Sequence, residues 1–183
     1  DSASDARLQG NLVTSELLSV DVSGQLSVSE TVESGSIDFQ AADVIISSDV
    51  RSQTGSIVMI ASEELSVGGD IDSTGASDRG DISLSAGAII IGDHSITTSS
   101  ADILIYGPAT LTGDLSLQTS LDAAAGGDLR IIGNVAASPL VPSLLRINAV
   151  GTATSGEVRI DGHVGSPNAS NPLAEPTDLT GID

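Results

Sequence analysis

One short motif returns along this chain, and a repeated motif restricts the fold more than any other feature of a sequence, because every copy must take the same local structure. Gly35-Ser36-Ile37-Asp38-Phe39-Gln40-Ala41 is matched by Gly55-Ser56-Ile57-Val58-Met59-Ile60-Ala61 and by Gly80-Asp81-Ile82-Ser83-Leu84-Ser85-Ala86. A fourth copy, Ala101-Asp102-Ile103-Leu104-Ile105-Tyr106-Gly107, keeps small residues at both ends, and the four starts are 20, 25 and 21 residues apart. Ten positions after each start lies another aliphatic residue, Ile45, Leu65, Ile90 and Leu111, and about fifteen or sixteen after the first three come Val50, Ile71 and Ile96. Each unit therefore offers two or three short strands. Weaker copies begin at Gly24, Gly113, Gly127 and Gly156, and some of these belong to second or third strands of a unit.

Alternate residues of a strand face opposite sides, so Ile37 and Phe39 point inward while Asp38 and Gln40 point to water. A five-residue strand buries nothing alone. Stacked in parallel, successive copies place Ile on Ile and Ala on Ala and close one aliphatic core. The expectation is an all-β chain, a parallel β-helix or β-solenoid of roughly six to eight coils of about 20 residues. An antiparallel sandwich also shows many short alternating strands but does not repeat them in sequence. A helical chain is excluded by the period of two and the crowding of β-branched residues.

Composition agrees. The 183 residues include no Cys, no Trp, one Phe and one Tyr, so the core must be built from Ile, Val, Leu and Ala. Twenty glycines supply turns. With 39% hydrophobic residues the chain has enough apolar side chains to fold despite a net charge of −19. All six basic residues are isolated arginines against 25 acids, a balance that repels nucleic acid and anionic bilayers. No apolar run approaches the ~20 residues of a membrane-spanning helix, so no membrane insertion is expected. A lysine-free, cysteine-free, acidic chain suits a secreted bacterial protein. Its start at Asp1, without Met or signal, reads as a mature product or an excised piece of a longer parent whose neighbouring coils would continue the stack.

Residues 1–9 read as a loose lead-in, 10–163 as the solenoid and 164–183 as a Pro-rich coil exit or tail. Five of the six prolines fall between Pro139 and Pro176, and the segment from Ala136 to Ser143 reads as a protruding loop.

The motif Gly-x-Ile-x-(Phe/Met/Leu)-x-Ala, followed by an aliphatic strand, resembles the repeats of filamentous-haemagglutinin-like adhesins, bacterial exoproteins of the two-partner-secretion type, over roughly residues 24 to 162. That resemblance implies a right-handed parallel β-helix, secretion or display at the cell surface, and adhesion to host cells, matrix or glycans. The expected role is a structural shaft or binding segment without enzymatic activity. The alternative is a polysaccharide-active β-helix enzyme or a carbohydrate-binding module, whose mark would be three or more convergent carboxylates with an Arg.

Few residues stand out as sites. Arg79, Gly80 and Asp81 spell an adhesion tripeptide where the third unit carries five extra residues, Gly75 to Arg79, although Gly80 and Asp81 also open the repeat motif. Gly68-Gly69-Asp70-Ile71 and Gly126-Gly127-Asp128-Leu129 resemble fragments of calcium-binding nonapeptide repeats, but the tandem period of nine is missing, so turn aspartates facing water are expected. A ladder such as Asp81 and Asp102 offers at most weak Ca²⁺ binding, and no cofactor is expected. His94 and His163 have no partner at metal-ligand spacing and read as exposed turn residues.

Overall fold

The computed structural model describes residues 4–74, 80–120, 125–151 and 154–165, and the backbone of 179–182. Its strands run in chain order as β1 (Ala6–Leu8), β2 (Leu12–Val13), β3 (Leu17–Asp21), β4 (Gln25–Val28), β5 (Val32–Ser34), β6 (Ser36–Ile46), β7 (Val50–Ser52), β8 (Ile57–Val67), β9 (Ile71–Ser73) and β10 (Ile82–Ile91). They continue as β11 (His94–Thr98), β12 (Ile103–Tyr106), β13 (Ala109–Leu111), β14 (Leu115–Gln118), β15 (Leu129–Ile132), β16 (Val135–Ala137), β17 (Ser143–Asn148), β18 (Val158–Asp161) and β19 (Leu179–Ile182).

Every pairing between these strands is parallel, and each strand pairs with its counterpart one repeat away. The fold is an all-β parallel β-solenoid. One sheet of eleven strands follows the order β1-β4-β6-β8-β10-β12-β15-β18, with β3, β13 and β16 attached beside it. The second, of eight strands, follows β19-β17-β14-β11-β9-β7-β5-β2.

The larger sheet covers two sides of the tube. The long strands β6, β8 and β10 break register between Ala41 and Asp43 and between Ala86 and Ala88. A bulge of this kind bends a strand. Hence β3 and β12 pair with the first halves of the long strands, and β4 and β13 with their second halves. We call the side holding β3, β12, β15 and β18 the first face, that holding β4, β13 and β16 the second face, and the smaller sheet the third.

Register on the first face aligns Leu18, Ile37, Ile57, Ile82, Ile103, Leu129 and Val158, steps of 19, 20, 25, 21, 26 and 29 residues. Two residues on, Phe39, Met59, Leu84, Ile105 and Ile131 form a second buried ladder. On the third face Val50, Ile71 and Ile96 align as the sequence predicts, extended by Val32 and Leu117. The solenoid thus closes around stacked aliphatic side chains.

Several expectations are revised. The copies at Gly24 and Gly113 lead into β4 on the second face and β14 on the third, whereas those at Gly127 and Gly156 open first-face strands. The fixed offset of ten aligned Ile45 and Ile90 with Leu65; the structure instead pairs Leu65 with Val44 and Ile89, and those three are buried. Two residues, Ser62 and Glu63, lie between Ala61 and Glu64 where only Ala42 lies between Ala41 and Asp43, and that single extra residue reverses which side chains face inward. Within the lead-in 1–9, Ala6–Leu8 forms β1 and pairs with β4. In the segment 164–183, the backbone of Leu179–Ile182 pairs with β17. The loop expected from Ala136 is shorter, since Val135–Ala137 is a strand and Ser143 is buried at the head of β17; Leu140 at its tip is 88% exposed. The insertion Gly75 to Arg79 lies outside the described residues.

Close stacking of backbones explains the glycine that opens the motif at Gly80 and Gly127. A Cβ at Gly80 would meet the carbonyl oxygen of Gly55, and one at Gly127 that of Ala101, and in both cases the nearest atoms are backbone, which cannot swing aside. Ala101 occupies the equivalent corner one coil before Gly127, so its methyl group is accommodated there. Gly127→Ala should therefore cost about 1–3 kcal/mol through overpacking, and Ala101→Gly less than about 1 kcal/mol. Urea denaturation of the two variants measures the difference. In the core, Ile82→Ala should cost about 2–5 kcal/mol.

Candidate functional site

The corner where each first-face strand begins carries an acid in four successive coils: Asp81, Asp102, Asp128 and Glu157. These side chains sit on the outside of the tube, and each Asp is engaged by the coil that follows. Asp81 Oδ1 accepts the backbone N–H of Asp102 at 3.1 Å, Asp102 Oδ1 that of Asp128 at 2.7 Å, and Asp128 Oδ1 that of Glu157 at 2.8 Å.

The same device recurs at the other corners. Asp49 accepts from Asp70 N–H at 3.2 Å and Asp70 from Ser95 N–H at 2.8 Å. Asp93 accepts from Asp114 N–H at 2.7 Å, and Asp114 from Leu144 N–H at 2.9 Å. Asp5 and Asn134 cap Gln25 and His163 in the same way. A corner residue has left the strand ladder, so its N–H needs another acceptor, and the short Asp side chain one coil earlier reaches it. Both Gly-Gly-Asp sequences belong to this set. Their aspartates do face outward, but one oxygen of each ties two coils together.

Inside the same corner runs a column of hydroxyls that the sequence does not announce. Ser34, Ser52, Ser73, Thr98 and Thr119 are buried at the ends of third-face strands. Ser52 donates to the carbonyl oxygens of Gly35 at 2.8 Å and Gly55 at 2.5 Å, Thr98 to Ala101 at 2.6 Å and Thr119 to Gly127 at 2.7 Å; Ser73 donates to Gly80. The turn carbonyls of the corner thus find partners within the core. The available signal was a hydroxyl three residues before the small motif residue, as in Ser52/Gly55 and Thr98/Ala101, but insertions lengthen it to seven for Ser73/Gly80 and eight for Thr119/Gly127.

The adhesion tripeptide meets this corner. Gly80 is buried with its carbonyl accepting from Ser73, Asp81 is exposed and caps Asp102, and Arg79 lies outside the described residues.

Two grooves flank the acids. One, of about 340 Å³, is lined by Asp81, Asp102, Asp128, Arg130, Ser83 and Leu104 beside the first face. The other, of about 320 Å³, lies over the third face and gathers Asp70, Asp93, His94, Asp114 and Arg146. His94 stands at the head of β11 with its side chain 26% exposed, less open than a turn residue, and its Nδ1 lies 3.8 Å from Asp70 Oδ1. His163 lies beside β18 and does not line the groove that holds His94. Among the described residues no group of three or more His, Asp and Glu side chains is arranged to hold a metal ion.

At the far end of the first face Arg159 Nε donates to Asp161 Oδ1 at 2.9 Å and Arg130 to Asp161 Oδ2 at 3.2 Å. The bond from Arg159 is the main cause holding the Asp161 carboxyl below its ordinary range; desolvation opposes it, and the bond from Arg130 and the charges of both arginines add to the lowering. No family model matches the sequence, and no curated protein or solved structure gives a significant match to the chain.

Two predictions follow from these contacts. Asp102→Ala should lower the melting temperature by a few degrees, whereas Asp102→Asn, which keeps an acceptor oxygen for the Asp128 N–H, should stay close to the parent; thermal unfolding followed by circular dichroism distinguishes them. A carboxyl depressed in the folded state stabilises at pH above the ordinary carboxylate range and loses that contribution as pH falls through its lowered value. Asp161→Asn should therefore be less stable than the parent at neutral pH, and the gap should close on acidification below the ordinary carboxylate range.

Proposed function

We propose that the chain is a structural shaft or binding segment of a secreted or cell-surface bacterial adhesin, wound in the right-handed sense of filamentous-haemagglutinin-like repeats. The observation that carries this proposal is the recurring corner cap. Many of the acids that make the chain so negative occupy corners of the coil, where an oxygen bonds the next coil and the rest of the carboxylate meets water. Such a surface keeps a rod soluble and self-repelling along its length while the rod stays continuous. Host-cell, matrix or glycan ligands would meet its sides.

A second reading, a polysaccharide-active β-helix enzyme or carbohydrate-binding module, has one specific observation in its favour. Three carboxylates and Arg130 line the groove beside the first face. Each of those carboxylates retains an oxygen not used in the cap.

Antibody raised against the purified chain and applied to unpermeabilised cells of the producing bacterium, and to their medium, tests the proposal. Labelling outside the cell supports it, and labelling confined to permeabilised cells overturns it. Incubation with uronic-acid and neutral polysaccharides, with and without Ca²⁺, separates the two readings: chain cleavage that Arg130→Ala abolishes would establish the enzyme.

A further inference from the structure

Outward residues of the first face form two rows along the rod. Register gives Ser19, Asp38, Val58, Ser83, Leu104, Arg130 and Arg159 in one row. The other reads Asp21, Gln40, Ile60, Ser85, Tyr106, Ile132 and Asp161. From Asp38 onward the first row runs acidic, apolar, small, apolar, basic; the second has an acid at each end, Asp21 and Asp161, with Ile60 and Tyr106 flanking Ser85, so the two serines of β10 lie at the centre of both.

Among the described residues the exposed large hydrophobics are mostly at the ends of the stack (Val13, Leu17, Val150, Val158) or in the loop at Leu140 and Val141. Ile60 and Tyr106, 41% and 54% exposed, lie instead in the middle of this face, two coils apart on either side of Ser85.

We propose that this face pairs with the same face of a second copy of the chain. The two-fold axis lies in the interface, parallel to the strands and through β10, so the rods run antiparallel while their strands remain aligned. Facing sheets of this kind pack about 10 Å apart. The axis sets Leu104 against Val58 and Tyr106 against Ile60, so the exposed Tyr106–Ile60 pair and the half-buried Leu104–Val58 pair each form twice. It sets Arg130 against Asp38, and Arg159 against Ser19 with Asp21 diagonal to it.

The corner acids test this choice of partner, since a chain of net charge −19 repels a copy of itself unless the touching faces match. Under this axis Asp102 falls opposite Ser56, Asp128 opposite Ser36, and Glu157 opposite Leu17, each in a neutral place. Asp81 lies on the axis line and meets its own counterpart. Asp161 faces Asp21, but Arg159 and Arg130 already bridge it. An isologous contact doubles every favourable pair.

Seven strands at ~4.8 Å and about five residues wide make a patch of roughly 29 by 16 Å. That is smaller than the ~800 Å² per partner of a standard interface, so the dimer is weak and forms at micromolar concentrations or above. The proposal is independent of whether the rod belongs to an adhesin.

Sedimentation equilibrium of the purified chain from micromolar to millimolar concentration tests it, with folding of each variant checked by circular dichroism. The parent should show a reversible monomer–dimer equilibrium. Arg130→Asp and Asp38→Arg should each weaken it at least tenfold, because each sets like charges together twice. An equimolar mixture of the two variants should dimerise as tightly as the parent, since every Asp then meets an Arg. Tyr106→Ser should weaken the dimer without altering the melting temperature of the monomer. A parent that stays monomeric to millimolar concentration overturns the proposal. So does a mixture that fails to recover, or a glycan that occupies Tyr106 while the chain remains a monomer.

Discussion

Each coil is joined to the next by hydrogen bonds that run along the rod, and this coil-to-coil bonding sets the terms for everything else. Strand ladders supply most of it, but a ladder stops wherever the chain turns a corner. Two side-chain devices carry the bonding across those gaps. Outside, an Asp accepts the corner N–H of the following coil, as in the run from Asp81 through Asp128. Inside, Ser52, Thr98 and Thr119 donate to the turn carbonyls. A glycine between them, as at Gly80 or Gly127, lets the backbones come close enough for both. The repeat motif Gly-Asp-Ile is the linear trace of this corner: close approach, outer cap, first core side chain.

The first face was legible because its pattern is local. Ile37, Ile57, Ile82 and Ile103 keep a fixed distance from a small residue, and the period of two then assigns inside and outside. The second face was not, since one additional residue between Ala61 and Glu64 shifts the phase of all that follows, and nothing in composition marks a bulge. The aspartates were recognised as turn residues, yet their acceptors' partners lie 21 to 29 residues ahead, beyond any local pattern. The hydroxyl column was hidden for another reason: a buried Ser or Thr looks like an interruption of an apolar run until its carbonyl partner is known. Tyr106 could be placed outward only once Ile103 and Ile105 were fixed as core.

Function is written less in single residues than in how the sides of the tube differ. The third face and the corners are mostly polar, with acids, hydroxyls, amides and isolated arginines, several of the acids and hydroxyls already committed to holding coils together. The first face departs from this, with apolar side chains at its centre and opposite charges toward its ends. A rod whose sides are unequal can keep most of its surface in water and still offer one strip for contact, whether the occupant is a glycan or another rod.

The direction of the coil-to-coil bonds also has a mechanical meaning. They lie parallel to the long axis, so tension applied to the two ends loads one coil boundary after another rather than all bonds at once. Each coil adds only ~4.8 Å to the rod, but about 21 residues paid out as extended chain span roughly 70 Å. A shaft built this way would lengthen more than tenfold at the point of detachment, dissipating work coil by coil while the remaining stack stays folded.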